Sequence, residues 1–351
     1  MRTPGDGKGS LMQLPDRPNL RHLRDQAKDL RRSGAAATIA DAQLQVARQY
    51  GFASWPKLKQ HVESLEQVAE LHHAIRCNDV PRVEALLTSS PELRQAVIDN
   101  EAVLPAAPGR IPMMELLLRF GADVNALCWG WFPILFFPCE NLEPEPLQWL
   151  LDHGADPNRG VRHDPNTTAL DYVLQTYPRD PKRHTACIDL LLAAGARTRY
   201  DVPGVFAILR GRNGELSALL ETDPSLVHRR YPELDCGASG GRLMTVKGGT
   251  LLHVAAEYGF VDACRMLLDR GADVNARAEV DANGVGGQTP IFHALTHFKG
   301  VTPEVAQLLI ARGADLTIRA RVPGHYEHEG EILDVSAAEY HEKFPLRGDD
   351  G

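Results

Sequence analysis

Gly121-Ala122-Asp123-Val124-Asn125-Ala126 returns unchanged as Gly271-Ala272-Asp273-Val274-Asn275-Ala276. Shortened forms stand at Gly154-Ala155-Asp156, Gly195-Ala196-Arg197 and Gly313-Ala314-Asp315. Two residues separate each of them from a preceding aliphatic pair: Leu117/Leu118, Leu150/Leu151, Leu191/Leu192, Leu267/Leu268 and Leu309/Ile310. The first interval between these glycines is 33 residues, and the later ones, 41, 76 and 42, fit one or two such units with insertions. A period of this size predicts a stack of small modules, none able to bury its own apolar face without a neighbour.

Gly249–Arg277 shows what one module asks of its residues. Thr250 is placed to cap a first helix, offering its hydroxyl to a backbone N–H of the first turn that has no partner within the helix. Leu251 and Leu252 supply apolar contacts, while Ala255 and Ala256 are small enough for close helix approach. Gly259 ends that helix, since it enters the left-handed region without steric cost. Val261, Cys264, Leu267 and Leu268 then draw one apolar stripe on a second helix. Gly271 stops it, and Asp273 and Asn275 suit the turn that follows.

Thr250, Leu251, Leu252, His253, Ala255, Ala256, Gly259, Leu267, Leu268 and Gly271 to Asn275 together resemble the ankyrin repeat. The next unit, Gln288 to Arg319, keeps Thr289, Pro290, Ala294 and the Gly-Ala-Asp signal, but has Phe292 where the family usually carries a turn histidine. Degenerate units fall at about 68–98, 100–127, 131–159, 167–199 and 203–230. The resemblance implies an all-α ankyrin-repeat solenoid of about seven helix-turn-helix units with hairpin fingers, preceded by a small helical head. Expected bounds are a mobile tail at 1–14, an N-terminal helical segment at 15–66, the array with its C-terminal capping half-repeat at 67–345, and a tail at 346–351. Ser336 and Glu339 have capping-box spacing at the start of that half-repeat.

The head carries Leu20, Leu23, Ala27 and Leu30 at helical spacing, a second helix from Asp41 to Tyr50 stopped by Gly51, and a third from Trp55 with Ser54 before it and Pro56 in its first turn. The string from Asp41 to Lys57 resembles a segment found ahead of ankyrin arrays in bacterial proteins, which implies a bacterial source. Of the 38 Lys+Arg and 46 Asp+Glu in the chain, residues 1–64 hold 11 and 6, so that +5 on the head faces −13 on the rest. An acidic array repels nucleic acid over most of its surface and suits a neutral or basic partner.

The chain shows no apolar run of the roughly 18 residues a membrane span needs, and Met1 to Gln13 lack the apolar middle of a signal peptide. A cytoplasmic protein is expected. Cys77, Cys128, Cys139, Cys187, Cys236 and Cys264 form no close pair, so neither a zinc ribbon nor a redox motif is written here, and Cys264 is expected in the core.

A search for chemistry assigns no catalytic, cofactor-binding or metal residue. The glycine-rich stretch Gly237 to Thr250 lacks the Gly-Lys-Ser/Thr ending of a phosphate loop and reads as an inserted hairpin. His325, Glu327, His328 and Glu329 are the densest set of potential metal ligands, short of the spacing of a closed zinc site. No Ser/His/Asp set can be argued from spacing, since a triad assembles in space.

The family resemblance implies binding of another protein on the concave face and hairpin fingers, without catalysis or cofactor. Leu127 to Phe137 stands out, with Trp129, Trp131, Phe132, Phe136 and Phe137 inside eleven residues. Phe132, Pro133 and Ile134 occupy Thr-Pro-Leu slots, which sends Phe136 to the core and leaves Trp129 and Trp131 as finger-tip candidates. Glu257, Tyr258 and Phe298, near first-helix ends, and the finger Ala278 to Gly287 are secondary candidates. Two other readings compete: nucleic-acid association through the basic head, and a metal-dependent enzyme using His325 to Glu329.

Overall fold

The computed structural model describes residues 12–15, 18–99, 104, 109–238, 241–296 and 303–345. Two compact units, Met1–Asn100 and Glu101–Gly351, divide the chain.

The first unit contains α1 (Leu20–Arg32), α2 (Ile39–Gln49), α3 (Trp55–Arg76), α4 (Val80–Ser89) and α5 (Pro91–Asp99). Asn19 caps α1 by accepting the N–H of Arg21 at 2.7 Å, and Thr38 and Asp41 form a reciprocal capping box on α2. Leu20, Leu23 and Ala27 of α1 pack with Ala42, Val46 and Ala47 of α2 and with Leu58 and Val62 of α3. The expected boundary at 66/67 lies inside α3, because no glycine or proline interrupts the helix between Lys57 and Arg76.

The second unit begins with α6 (Ile111–Arg119) and continues as helix pairs: α7 (Phe136–Asn141) with α8 (Pro144–Asp152), α9 (Ala169–Gln175) with α10 (Pro181–Ala193), α11 (Pro203–Leu209) with α12 (Asn213–Thr222), α13 (Leu251–Glu257) with α14 (Val261–Asp269), and α15 (Pro290–Ala294) with α16 (Glu304–Ala311). α17 (Ala337–Lys343) closes the series. First helices contact first helices, α7 on α9, α11 on α13, α13 on α15 and α15 on α17. Second helices do the same, α8 on α10, α12 on α14 and α14 on α16. This is the stacking that the repeated phrase predicts, and it makes the unit an all-α solenoid.

α6, α8, α10, α14 and α16 end alike. Gly121, Gly154, Gly195, Gly271 and Gly313 all adopt φ between 80° and 98°, and at Gly154, Gly195, Gly271 and Gly313 a Cβ would meet nothing within 4 Å, so the demand is conformational and not steric. The following alanine returns its N–H to the first leucine of the aliphatic pair, as Ala272 does to Leu267 at 3.0 Å, closing a Schellman cap. Leu267 thus serves twice, as cap acceptor and as a fully buried side chain whose burial contributes about 1.5–3 kcal/mol. Cys264 is buried beside it.

The asparagine of the phrase joins modules. Asn125 Nδ2 donates to Gly154 O at 3.1 Å and its Oδ1 accepts the N–H of Asp156 at 2.8 Å. Asn158 makes the same pair with Gly195 O and the N–H of Arg197, and Asn275 with Gly313 O and the N–H of Asp315.

Short hairpins connect the pairs. β1 (Leu127–Cys128) pairs antiparallel with β2 (Phe132–Pro133), and β3 (Arg319–Pro323) with β4 (Ile332–Ser336). β4 runs into α17 through Ser336, whose hydroxyl accepts the Glu339 N–H while the Glu339 carboxylate accepts the Ser336 N–H. The expected insertion is a hairpin closed by the Tyr231–Gly249 bridge and by the Val246 N–H on Cys236 O at 2.9 Å.

Candidate functional site

The aromatic stretch folds as a finger because its two strands are only two residues long and the chain must reverse at once. Trp129 and Gly130 do this with φ of 54° and 74°, consecutive left-handed residues as in a primed hairpin turn. Gly130 is suited to that region; Trp129 is not, and a bulky residue there is uncommon. Behind the turn, buried Phe132 meets Phe136, Phe137 and Tyr172 edge-on, at centroid distances of 5.5, 5.2 and 5.6 Å.

On this base the two indoles lie stacked, 6.3 Å apart. Trp129 is 69% exposed and Trp131 39%. His163, from the neighbouring finger, lies 5.4 Å from Trp131, and Arg162 donates its N–H to Trp131 O at 3.0 Å and an Nη1 hydrogen to Gly130 O at 3.3 Å. The finger is therefore held from behind and from the side, with its tip in solvent.

Glu257 and Tyr258, expected at the surface, require correction: both are 0% exposed. Glu257 closes α13 beneath the inserted hairpin. Its Oε1 accepts from Arg179 Nη2 at 2.8 Å and Nε at 2.9 Å, while its Oε2 accepts from Arg242 Nη2 and from His293 Nδ1, the latter at 2.7 Å. Burial pushes the carboxyl up, but Arg242 and Arg179 outweigh it and hold the group below the usual carboxylate range. Two guanidiniums against one carboxylate leave a buried excess of positive charge. Backbone carbonyls offset it: Arg179 donates to Thr176, Pro178 and Ala238, and Arg242 to Thr296, Gly237 and Met244. Tyr258 is consumed internally as well, its hydroxyl donating to Leu174 O and its ring lying 4.7 Å from the Arg179 guanidinium carbon. Nothing in the spacing of Arg179 or Arg242 announces this cluster, since both lie outside the repeat pattern.

Phe298 lies outside the described residues. The His325 to Glu329 loop brings His325 Nδ1 to 3.6 Å from Glu327 Oε2, with the His325 and His328 rings 6.1 Å apart. Among the described residues no group of three or more His, Cys, Asp or Glu is placed to hold a metal ion, and no helix is long and apolar enough to cross a membrane.

A sequence model described as "Ankyrin repeats (3 copies)" matches residues 182–320, the stretch that contains the caps at Gly195, Gly271 and Gly313, the joining Asn275 and the helix pairs α11/α12, α13/α14 and α15/α16. Residues 182–320 are ankyrin repeats. It is 26% identical over 205 residues to the E3 ubiquitin-protein ligase XBAT32 of Arabidopsis thaliana, a match covering 57% of this chain and 36% of that relative. The chain thus spans about a third of the length of this curated relative. Among solved structures it is similar to the human ASB11 ankyrin repeat domain, at 22% identity and a TM-score of 0.40, over 70% of this chain and 98% of that one.

Proposed function

We propose that this ankyrin array is a non-catalytic scaffold or adaptor that binds another protein, and that the Leu127–Pro133 finger is part of its recognition surface. The supporting observation is the exposed indole pair at a positive-φ turn. A tryptophan held in a sparsely populated conformation, with its ring in solvent, costs stability that burial does not recover, and such costs collect at functional positions. Tryptophan is also enriched among interface hot spots, where a rigid anchor buries much area for few rotatable bonds. The ligase activity in the name of XBAT32 belongs to a protein of which this chain matches 36%, and it is not carried over.

The basic head supports the nucleic-acid reading less well. On α1, Lys28 pairs with Asp25 at 2.8 Å and Arg32 with Asp29 at 3.2 Å, so part of its charge is neutralised locally.

The test is affinity capture from native extract with wild type and with a Trp129→Gly, Trp131→Ala double variant. Glycine keeps the turn, so the helical circular dichroism should be unchanged. Capture of the partner should weaken by about tenfold or more. A folded double variant that retains every partner at wild-type strength removes the finger from the interface.

A further inference from the structure

Arg162 and His163 are the two residues enclosed by the Val161–Asp164 bridge, so they form the tip of the finger next to the tryptophan one. Both are exposed. The Arg162 N–H is tied to Trp131 O at 3.0 Å and its guanidinium reaches Gly130 O through Nη1 at 3.3 Å. A Cβ built on Gly130 would meet only that guanidinium within 4 Å. The cation is therefore held against the turn that carries both indoles, with open space around it.

The bond to Gly130 uses Nη1, which stands cis to Cδ. The opposite edge of the guanidinium, where Nε–H and Nη2–H point the same way, has no acceptor among the described residues. That edge is the fork a carboxylate fills with two parallel hydrogen bonds. Asp164, the carboxylate of the same turn, does not fill it: its oxygens accept the Asn166 N–H at 3.3 Å and the Thr167 hydroxyl. An arginine already held by two bonds has lost much of its rotamer freedom, which lowers the entropy cost of a further contact. Beside it the rings of Trp129, Trp131 and His163 follow one another at 6.3 and 5.4 Å, so an apolar ledge and an open cationic fork share one double fingertip.

We propose that this double fingertip reads a protein segment carrying an aspartate or glutamate next to an apolar side chain. The carboxylate enters the Nε/Nη2 fork of Arg162, and the apolar group lies on the Trp131 and Trp129 rings. The carboxylate preference rests on the reading of the Leu127–Pro133 finger as a recognition surface and adds the chemistry that the finger selects. The phosphates of a nucleic acid offer similar oxygens, but the −13 balance of residues 65–351 repels a polyanion. A lone carboxylate in an otherwise neutral or basic segment meets far less of that repulsion.

The test uses the full chain labelled with ¹⁵N-tryptophan, whose four indole N–H signals are assigned with Trp129→Gly and Trp131→Phe. The probes are N-acetyl-leucyl-glutamate amide, its glutamine counterpart, N-acetyl-leucine and a short oligothymidylate. The Trp131 signal should shift saturably with the glutamate probe and need about fivefold more of the glutamine probe, the scale of a well-formed exposed ion pair. Arg162→Gln, an exposed change, should abolish that preference with the helical circular dichroism unchanged. Arg162→Lys keeps the charge and loses the fork, and should retain a preference of about twofold. A Trp131 signal that ignores the glutamate probe, or answers the glutamine probe equally, overturns the proposal, as does a preference that survives Arg162→Gln. A stronger response to N-acetyl-leucine or to the oligothymidylate overturns it in favour of a chain terminus or a nucleic acid. In capture from native extract, a partner lost with the tryptophan double variant but held by Arg162→Gln refutes the carboxylate alone; a partner held by both removes the finger, and this chemistry with it.

Discussion

Two consecutive modules place a histidine at nearly the same point and use it differently. In the Gly249 module, His253 Nδ1 accepts the Thr250 N–H at 2.9 Å and lies 3.0 Å from the Thr250 hydroxyl, while Nε2 donates to Gln288 O at 3.1 Å. That ring joins the start of one helix to the chain that enters the next module. In the following module Phe292 fills the equivalent position and is fully buried, its ring 6.0 Å from that of Tyr340. The histidine has moved on by one, to His293, and reaches Glu257 instead. One step along a helix turns a side chain by about 100°, enough to exchange a backbone cap for a place in a buried ion cluster.

The largest test of this contrast is Glu257→Ala. It leaves Arg179 and Arg242 buried without their carboxylate, and should destabilise the second unit by about 3–5 kcal/mol, read from urea unfolding at neutral pH. Replacing Arg179, Glu257 and Arg242 together by methionine should cost less than the single change, because no charge is then stranded. A single change costing under about 1 kcal/mol would mean that the carbonyls alone satisfy the guanidiniums.

Acid tests the two histidine stations together. Burial holds His184 and His253 down to about 3, and it also lowers His293, outweighing the opposing pull of Glu257. In the unfolded chain each would titrate near its ordinary value, about 6.5. The unfolded state therefore takes up protons first as pH falls; the stability is fully present above about 6.5 and drains away toward 3. Between pH 7 and pH 5 each of His184 and His253 should cost about 2 kcal/mol, visible as a falling urea midpoint. A midpoint unchanged over that range would show that these rings are not held neutral.

The smallest effect comes from making the first module imitate the second. His253→Phe removes a donor to Gln288 O and an acceptor for the Thr250 N–H, and should cost about 1–3 kcal/mol. It should also flatten the acid response by the share of one histidine. Loss of stability with an unaltered pH slope would assign the slope to the other rings.

How much of this was legible follows from where each constraint lies along the chain. Gly271, Asp273, Asn275 and the preceding leucines act within a few residues of one another, so their pattern survives in the sequence. Phe136 was readable as core because Phe132, Pro133 and Ile134 keep module register. Glu257 was misplaced because its environment is not local: Arg242 comes from an insertion without periodicity, and Arg179 from 78 residues upstream. The positive φ of Trp129 left no mark at all, as tryptophan is not a residue expected there.

The joining asparagines have one more consequence. Asn125, Asn158 and Asn275 make the same two bonds to the next module at separations of 29, 37 and 38 positions along the chain. Like a rivet through plates of unequal outline, the contact sets the pitch of the stack and is indifferent to how much chain loops out between its ends. Whatever grows at a fingertip can lengthen or change its side chains without disturbing the rise from one module to the next, so recognition is free to vary on a frame of fixed gauge.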